Sequence, residues 1–166
     1  DAVTDEITIP EDTTGVCIDV QLNDIDLDGD DLTTAIVANP TSGGSAVVTN
    51  GDSICYVPPT DFNGVDTIIY SVCDPSMVCD VDTVFITVEP VNDTPTQGNE
   101  TMFVTEDDPA TTSPDLTANN TDVDGTNVTV TGVVSSSGGG TTTVTGGGTT
   151  IDYTPAGGFT GIDTVI

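Results

Sequence analysis

The sequence predicts an all-β protein made of two tandem sandwich repeats, with antiparallel strands and no helices. Apolar and polar residues alternate with a period of two in several segments, and turn residues recur at intervals of about 8–12 positions. No segment shows a helical period with capping residues. Several landmarks also occur twice in the same order, which indicates an internal repeat.

The strand pattern is clearest where one face of a segment is uniformly apolar. Three such faces are predicted: Val16, Ile18, Val20 and Leu22; Ile68, Tyr70 and Val72; and Val84, Ile86 and Val88. Asn50-Gly51 predicts a type I′ hairpin turn. About seven strands in about 95 residues fit an immunoglobulin-like Greek-key sandwich.

The repeat has a period of about 96 residues. Four landmarks recur in the second copy: Glu11-Asp12 as Glu106-Asp107, Asp26 as Asp122, Tyr56 as Tyr153, and Phe62 as Phe159. We expect a first repeat at 1–91, a linker at 92–96 and a second repeat at 97–166. Because Ile166 aligns with Ile69, the second repeat is expected to lack its last strands. Truncation of the parent protein is the favoured reason, and strands supplied by a neighbouring chain are the alternative.

The charge balance excludes several partners. The chain has 28 acidic residues and no Lys, Arg or His, for a formal charge of −28. Nothing can neutralise a nucleic-acid backbone or an anionic membrane, and no apolar run is long enough to insert into a bilayer. Internal salt bridges are also excluded, so the obvious counter-ions are metals. General solubility in a salty medium is the competing explanation.

The four cysteines predict a secreted protein with two disulfides. Cys17 and Cys55 share the outward side of their strands, and the second copy has Ser113 or Thr112 and Asp152 in their places. This joint loss favours pairing of Cys17 with Cys55. Cys73 and Cys79 would then link the last hairpin.

The densest acidic segment predicts a calcium-binding turn. It contains Asp24, Asp26, Asp28, Asp30 and Asp31, with Gly29 to bend the backbone. Alternating carboxylates can direct several hard oxygens at one Ca²⁺ ion. The segment resembles an EF-hand loop only at first, because its twelfth position is Ala35. An acidic, solvated turn is the alternative.

A second metal site is predicted at the junction between the repeats. Asn92 and Asp93 lie there, although a plain linker turn is almost as well supported. Glu11 with Asp12 opens the first repeat, and Glu106 with Asp107 opens the second. A cation bound by these groups would stiffen a rod of repeats.

Together these motifs resemble the cadherin-like and immunoglobulin-like tandem repeats of large bacterial surface adhesins. The motifs are E-D-T, N-D-x-D-x-D-G-D-x-L, Y-x-P, F-x-G-x-D-T, C-D-x-D-T-V and V-N-D-x-P, at 11–13, 23–32, 56–58, 62–67, 79–84 and 91–95. The resemblance implies that Asn92, Asp93, Asp122 and Asp124 share one junctional calcium site, with help from an acid of an E-D turn. Thr126 replaces the counterpart of Asp30, so the site in the second copy is expected to be weaker or to need a ligand from the linker.

The sequence therefore predicts a non-enzymatic spacer repeat on the bacterial cell surface, stabilised by calcium. With no His, Lys or Arg, there is no imidazole base, Schiff-base amine or guanidinium clamp for catalysis. The expected partners are neighbouring repeats of the same protein. Two alternatives remain: a repeat that itself binds glycans or proteins on other cells, and a filament subunit.

Overall fold

The chain folds into two compact units, Asp1–Val91 and Asn92–Ile166. The computed structural model describes residues 1–125 and 127–166, so Thr126 lies outside the description. All regular elements in these residues are β-strands. The all-β, immunoglobulin-like prediction is confirmed.

The first unit is a sandwich of two sheets. Its strands are β1 (Asp5–Pro10), β2 (Val16–Asp19), β3 (Thr33–Ala38), β4 (Ser45–Thr49), β5 (Ser53–Val57), β6 (Gly64–Cys73) and β7 (Cys79–Glu89). One sheet has the order β1-β7-β6-β3 and the other β2-β5-β4. All pairs are antiparallel except β1 with β7, which is parallel. This exception is possible because the whole unit separates β1 from β7, and only a short hairpin connection would force an antiparallel pair.

Alternate residues of the two sheets form the core of the first unit. Ile54 and Tyr56 of β5 face Ile68 and Tyr70 of β6, and all four are buried. The predicted apolar faces at 68–72 and 84–88 are buried as expected. The prediction for Leu22 was wrong, since it is 83% exposed. Strand β2 ends at Asp19, so the chain has left the sheet before it reaches Leu22.

Both predicted disulfides are present. Cys17 and Cys55 are direct cross-strand partners on β2 and β5, and their sulfurs are bonded. Cys73 and Cys79 face each other where β6 and β7 meet the hairpin, and they are also bonded. The joint loss of Cys17 and Cys55 in the second copy, together with their shared outward side, therefore identified the pairing correctly.

The hairpin between β4 and β5 differs slightly from its prediction. Asn50 and Gly51 have φ values of 57° and 88°, the positive angles that a type I′ turn requires at both positions. The two strands pair up to Thr49 and Ser53, so Asp52 is an additional loop residue. The connection has three residues instead of two.

The second unit reproduces one of the two sheets. Its strands are β8 (Thr111–Thr112), β9 (Thr141–Thr145) and β10 (Thr150–Thr154), in the order β8-β10-β9. This is the order of β2, β5 and β4, to which they align. Asp152 pairs with Thr112, and the Thr112 hydroxyl donates to Asp152 Oδ1 at 2.6 Å. A hydrogen bond thus occupies the position of the Cys17–Cys55 disulfide.

Candidate cation-binding site

The acidic turn at 24–31 is organised by one of its own carboxylates. Asp26 Oδ1 accepts the backbone N–H groups of Asp28 at 2.9 Å, Gly29 at 2.7 Å and Asp30 at 3.2 Å. Gly29 has a φ of 74°, which lets the chain reverse. These hydrogen bonds lower the pKa of Asp26, and the one from Asp30 contributes most to that shift. Asp26 therefore shapes the turn.

The remaining acids of the turn do not form a ready-made cage. Asp28, Asp30 and Asp31 are exposed. Within either unit, no three described acidic side chains place oxygens within 4.8 Å of one another. Calcium binding by this turn remains a prediction.

Asp24 points away from the turn, toward the residues that precede β1. Its Oδ1 atom accepts the backbone N–H of Val3 at 2.8 Å. Its Oδ2 atom is buried and accepts no hydrogen bond from the described residues. Burial raises the pKa of Asp24, and the negative charges of Asp82 and Asp80 raise it further.

Three further carboxylates lie around the same segment. Asp80 Oδ2 accepts the backbone N–H of Ala2 at 3.0 Å, and Asp82 Oδ1 accepts the Thr4 hydroxyl at 2.7 Å. Asp5 is only 7% exposed, and its Oδ2 atom accepts the Tyr70 hydroxyl at 2.8 Å. The pKa of Asp5 is raised by burial, and then by the neighbouring Asp24 and Asp82 charges. We call Asp5, Asp24, Asp80 and Asp82 the acidic cluster.

Sequence analysis identified only Asp24 of this cluster. Asp80 and Asp82 occur within the C-D-x-D-T-V motif at 79–84, but the motif gave no role to their carboxylates. Asp5 lies far from the others in sequence and is not part of any motif. Pairing of β1 with β7 brings these residues together, and that pairing is a long-range event.

The second unit repeats the backbone contacts of the turn, but a neutral Asn replaces one of the two acceptor Asp residues. Asn120 Oδ1 accepts the N–H of Gly98 at 2.8 Å, as Asp24 does for Val3. Asp122 Oδ1 accepts the N–H of Asp124 at 3.0 Å, as Asp26 does for Asp28. In addition, the N–H of Asp93 donates to Asp124 Oδ2 at 2.7 Å.

The E-D turns hold loops within their own units. Glu11 is 4% exposed, and its Oε1 atom accepts the N–H of Val91 at 2.6 Å. Asp12 Oδ1 accepts the N–H of Asp61 at 3.3 Å. Asp107 repeats this contact with the N–H of Gly158, also at 3.3 Å. Both aspartates have positive φ values, 59° and 60°, so the two turns have the same shape.

The other predicted junction residues are at the surface. Asn92 and Glu106 are exposed. Asn92 Nδ2 donates to the carbonyl of Asp93 at 2.7 Å, a local contact that shapes the chain there. A metal role for these residues is still a prediction.

Comparison with known families decides the classification. A family model described as Bacterial Ig domain matches residues 1–87 and 92–166. The chain belongs to the bacterial Ig domain family. No curated protein matches it.

Solved structures add little for these bacterial Ig domains. Two similar structures are the endo-fucoidan hydrolase MfFcnA4 of glycoside hydrolase family 107 and a variant of it. The variant is 15% identical with a TM-score of 0.42, covering 92% of this chain and 24% of the hydrolase. The unaltered enzyme is 14% identical with a TM-score of 0.42, covering 93% of this chain and 23% of the hydrolase. The chain therefore spans about a quarter of the length of these enzymes.

The family and the disulfides agree on the compartment. Bacterial Ig domains with two disulfide bonds favour an extracellular or cell-surface location, because such bonds persist in oxidising surroundings. In the described part of the chain, no helix is long and apolar enough to span a membrane.

Each bacterial Ig domain also contains an aspartate that accepts several hydrogen bonds and that the sequence did not single out. Asp66 on β6 is 0% exposed and accepts the Tyr56 hydroxyl at 2.8 Å and the Thr41 N–H at 2.7 Å. The Ser42 hydroxyl donates to it as well. Burial would raise the pKa of Asp66, but hydrogen bonds from Ser42, Tyr56 and Thr41 outweigh it and lower the pKa to about 2.

The second unit has the same arrangement around Asp163. Tyr153 donates its hydroxyl at 2.8 Å, and Ser136, Ser137 and Gly138 donate as well. The Ser136 hydrogen bond contributes most to a lowered pKa of Asp163. The recurrence of F-x-G-x-D-T after Y-x-P was the sequence feature that could have identified both aspartates. We call Tyr56–Asp66 and Tyr153–Asp163 the Tyr–Asp latches.

Proposed function

We propose that this chain is a non-enzymatic spacer repeat of a bacterial surface adhesin or surface filament, and that calcium stabilises it. Its partners would be neighbouring repeats of the same protein. One observation carries the proposal: a bacterial immunoglobulin-like repeat with 28 acidic side chains and no basic one. Such a chain repels itself when folded unless cations compensate the charge.

The structure supports this proposal through the acidic cluster. Carboxylates from β1, β7 and the turn at 24–31 surround the same few residues, and no described group donates to the buried Oδ2 atom of Asp24. Calcium prefers hard oxygen ligands of this kind and tolerates irregular geometry. The non-enzymatic part rests on the composition, which provides carboxylates but no imidazole, amine or guanidinium group.

Calcium should raise the free energy of unfolding of the whole chain. Extracellular modules bind calcium with dissociation constants of about 10⁻⁴ to 10⁻³ M. At 10 mM calcium the expected gain is then about 1 to 3 kcal/mol, which shifts the unfolding midpoint by several degrees. Thermal unfolding followed by circular dichroism, with calcium or with EDTA, measures this shift.

Sodium chloride at the same ionic strength is the control, because it screens charge without specific binding. If sodium and calcium give the same midpoint, the calcium part of the proposal is wrong. Force spectroscopy on a tandem array would test the spacer role separately. A spacer should extend and refold reversibly, with higher unfolding forces in calcium.

A further inference from the structure

The outward face of the four-stranded sheet in the first unit carries exposed apolar side chains. Val65 and Ile69 of β6, with Val81 and Phe85 of β7, are between 39% and 62% exposed. On both strands these positions are out of phase with the buried residues of the core, so the four side chains project from the opposite side of the sheet. We call Val65, Ile69, Val81 and Phe85 the apolar face.

The pairing of β6 with β7 joins these four side chains into one patch. Phe85 lies opposite Thr67, which makes it the diagonal neighbour of both Val65 and Ile69. Val81 lies opposite Ser71 and is diagonal to Ile69. Diagonal neighbours across an antiparallel pair are about 7–8 Å apart, within reach of long and aromatic side chains. The apolar face is therefore continuous.

No charge interrupts the apolar face. The outward positions of β6 from Val65 to Cys73 and of β7 from Cys79 to Thr87 are all Val, Thr, Ile, Ser, Phe or Cys. Glu6 of β1, which pairs with Phe85, and Glu89 at the end of β7 border it. The chain has 28 acidic residues, yet none lies on this face. Depletion of charge with exposed apolar and aromatic groups is typical of the centre of a protein–protein interface.

The sheet that carries the apolar face is large enough for association. Its four strands have 6 to 11 residues. With about 4.8 Å between strands and about 3.3 Å per residue, the sheet covers on the order of 500 Å². Two such faces in contact would bury on the order of 1,000 Å² in total, which is where specific interfaces begin.

The other sheet of the same unit makes a poorer interface. Its strands have only 4 or 5 residues, and its outward side exposes Val47 and Val57. Asp19, opposite Ser53 on that side, adds a charge. The four-stranded sheet is therefore the better candidate, and the smaller sheet provides a control.

A second copy of this chain is the partner that fits the apolar face. A basic partner would be attracted to the acidic turns and not to an uncharged surface. Two copies related by a twofold axis present the same surface to each other, and stacked sheets pack about 10 Å apart through interdigitating side chains. The acidic turns of both copies can then stay in solvent.

We propose that the apolar face mediates weak homodimerisation of this chain, sheet against sheet. The formal charge of −28 on each copy opposes the contact. Because salt screens exposed charges, association should strengthen as the ionic strength rises, and an interface held by ion pairs would weaken. This inference goes beyond the proposed spacer function, because it concerns contacts between separate molecules and does not depend on calcium.

Sedimentation equilibrium of the whole chain in EDTA tests the dimer. The screening length falls from about 10 Å in 0.1 M NaCl to about 3 Å in 1 M NaCl. We expect the association constant to be at least threefold larger in 1 M NaCl, with the dimer as the largest species. A chain that stays monomeric at both salt concentrations, or dimers that dissociate as salt is added, would overturn the proposal. Growth beyond the dimer would contradict the twofold contact.

Neutral substitutions locate the interface. I69T/F85T removes apolar surface from the apolar face without changing the charge, and threonine is well tolerated in strands. We expect it to weaken dimerisation at least tenfold. V47T/V57T makes the matched change on the smaller sheet and should dimerise like the unaltered chain.

Thermal unfolding of dilute samples checks that each variant is folded, and V81T provides a second test of the apolar face should I69T/F85T not fold. The assignment to this face is wrong if the folded variants of the apolar face dimerise as strongly as the unaltered chain. It is also wrong if V47T/V57T loses dimerisation to the same extent.

Discussion

At the scale of single residues, the Tyr–Asp latches join a tyrosine hydroxyl to an aspartate that accepts several further hydrogen bonds. Asp66 has no exposed surface, yet hydrogen bonds from Tyr56, Thr41 and Ser42 compensate its charge. The same latch in the second unit argues that its role is structural. Each latch ties the strand that carries the tyrosine to the segment that carries the aspartate.

The Asp66→Asn substitution should destabilise the first unit by on the order of 3 kcal/mol, because an amide nitrogen cannot accept the donors that a charged carboxylate satisfies. Tyr56→Phe removes only one of these donors and should cost less, about 2 kcal/mol. Urea unfolding of both variants measures the difference. A cost below 1 kcal/mol for D66N would contradict the structural role.

The same latch predicts a pH dependence. Asp66 has a pKa of about 2, below its ordinary 3.8. Because the pKa is lowered in the folded state, the stabilisation is complete above about pH 4 and is lost as the pH falls from 3.8 toward 2. The gap in unfolding free energy between the unaltered chain and D66N should therefore narrow over this range. A gap that stays constant down to pH 2 would contradict the assigned pKa.

At the scale of elements, the two units show alternative ways to connect the same pair of strands. The first unit uses the Cys17–Cys55 disulfide between β2 and β5. The second uses the Thr112–Asp152 hydrogen bond between β8 and β10. A disulfide also restricts the unfolded chain, which a hydrogen bond does not.

Removing the Cys17–Cys55 bond in C17A/C55A should cost about 4 kcal/mol, since the loop that it closes spans 38 residues. C73A/C79A should cost only about 2 kcal/mol, because that separation is 6 residues. C17T/C55D copies the second unit and should recover part of the larger loss. Chemical unfolding under non-reducing conditions ranks the three variants. The loop-entropy explanation fails if C73A/C79A costs more than C17A/C55A.

The segment aligned with β1 shows how an element depends on its partner. Residues 100–105 align with β1 but form no strand. In the first unit, β1 pairs only with β7. No described strand pairs with the segment at 100–105, and Phe103 within it is exposed. Strand propensity alone did not produce a strand here.

At the scale of the whole molecule, the two units differ in their cores. Among the described residues, ten of the twelve buried apolar ones belong to the first unit, and Ile151 and Tyr153 belong to the second. Both disulfides are also in the first unit. Burial of apolar side chains is the main source of folding free energy, so the first unit should be the more stable one.

Limited proteolysis should therefore leave a resistant fragment that contains the first unit. Trypsin cannot be used, because the chain has no Lys or Arg. Chymotrypsin and endoproteinase Glu-C should cut first within 92–166, at residues such as Phe103 and Glu106, which are exposed. Intact mass spectrometry identifies the product. Early cutting within 53–73, where the core strands lie, would contradict this order of stability.

The sequence by itself determined the all-β class, the repeat, the buried faces of β6 and β7, and both disulfide pairs. These features depend on local periodicity and on comparison of two copies, and both are visible without coordinates. It could not show that β1 pairs in parallel with β7, that Leu22 is exposed, or that Asp5, Asp80 and Asp82 gather around Asp24. Only the tertiary structure decided these points, because each depends on contacts between residues far apart in the chain.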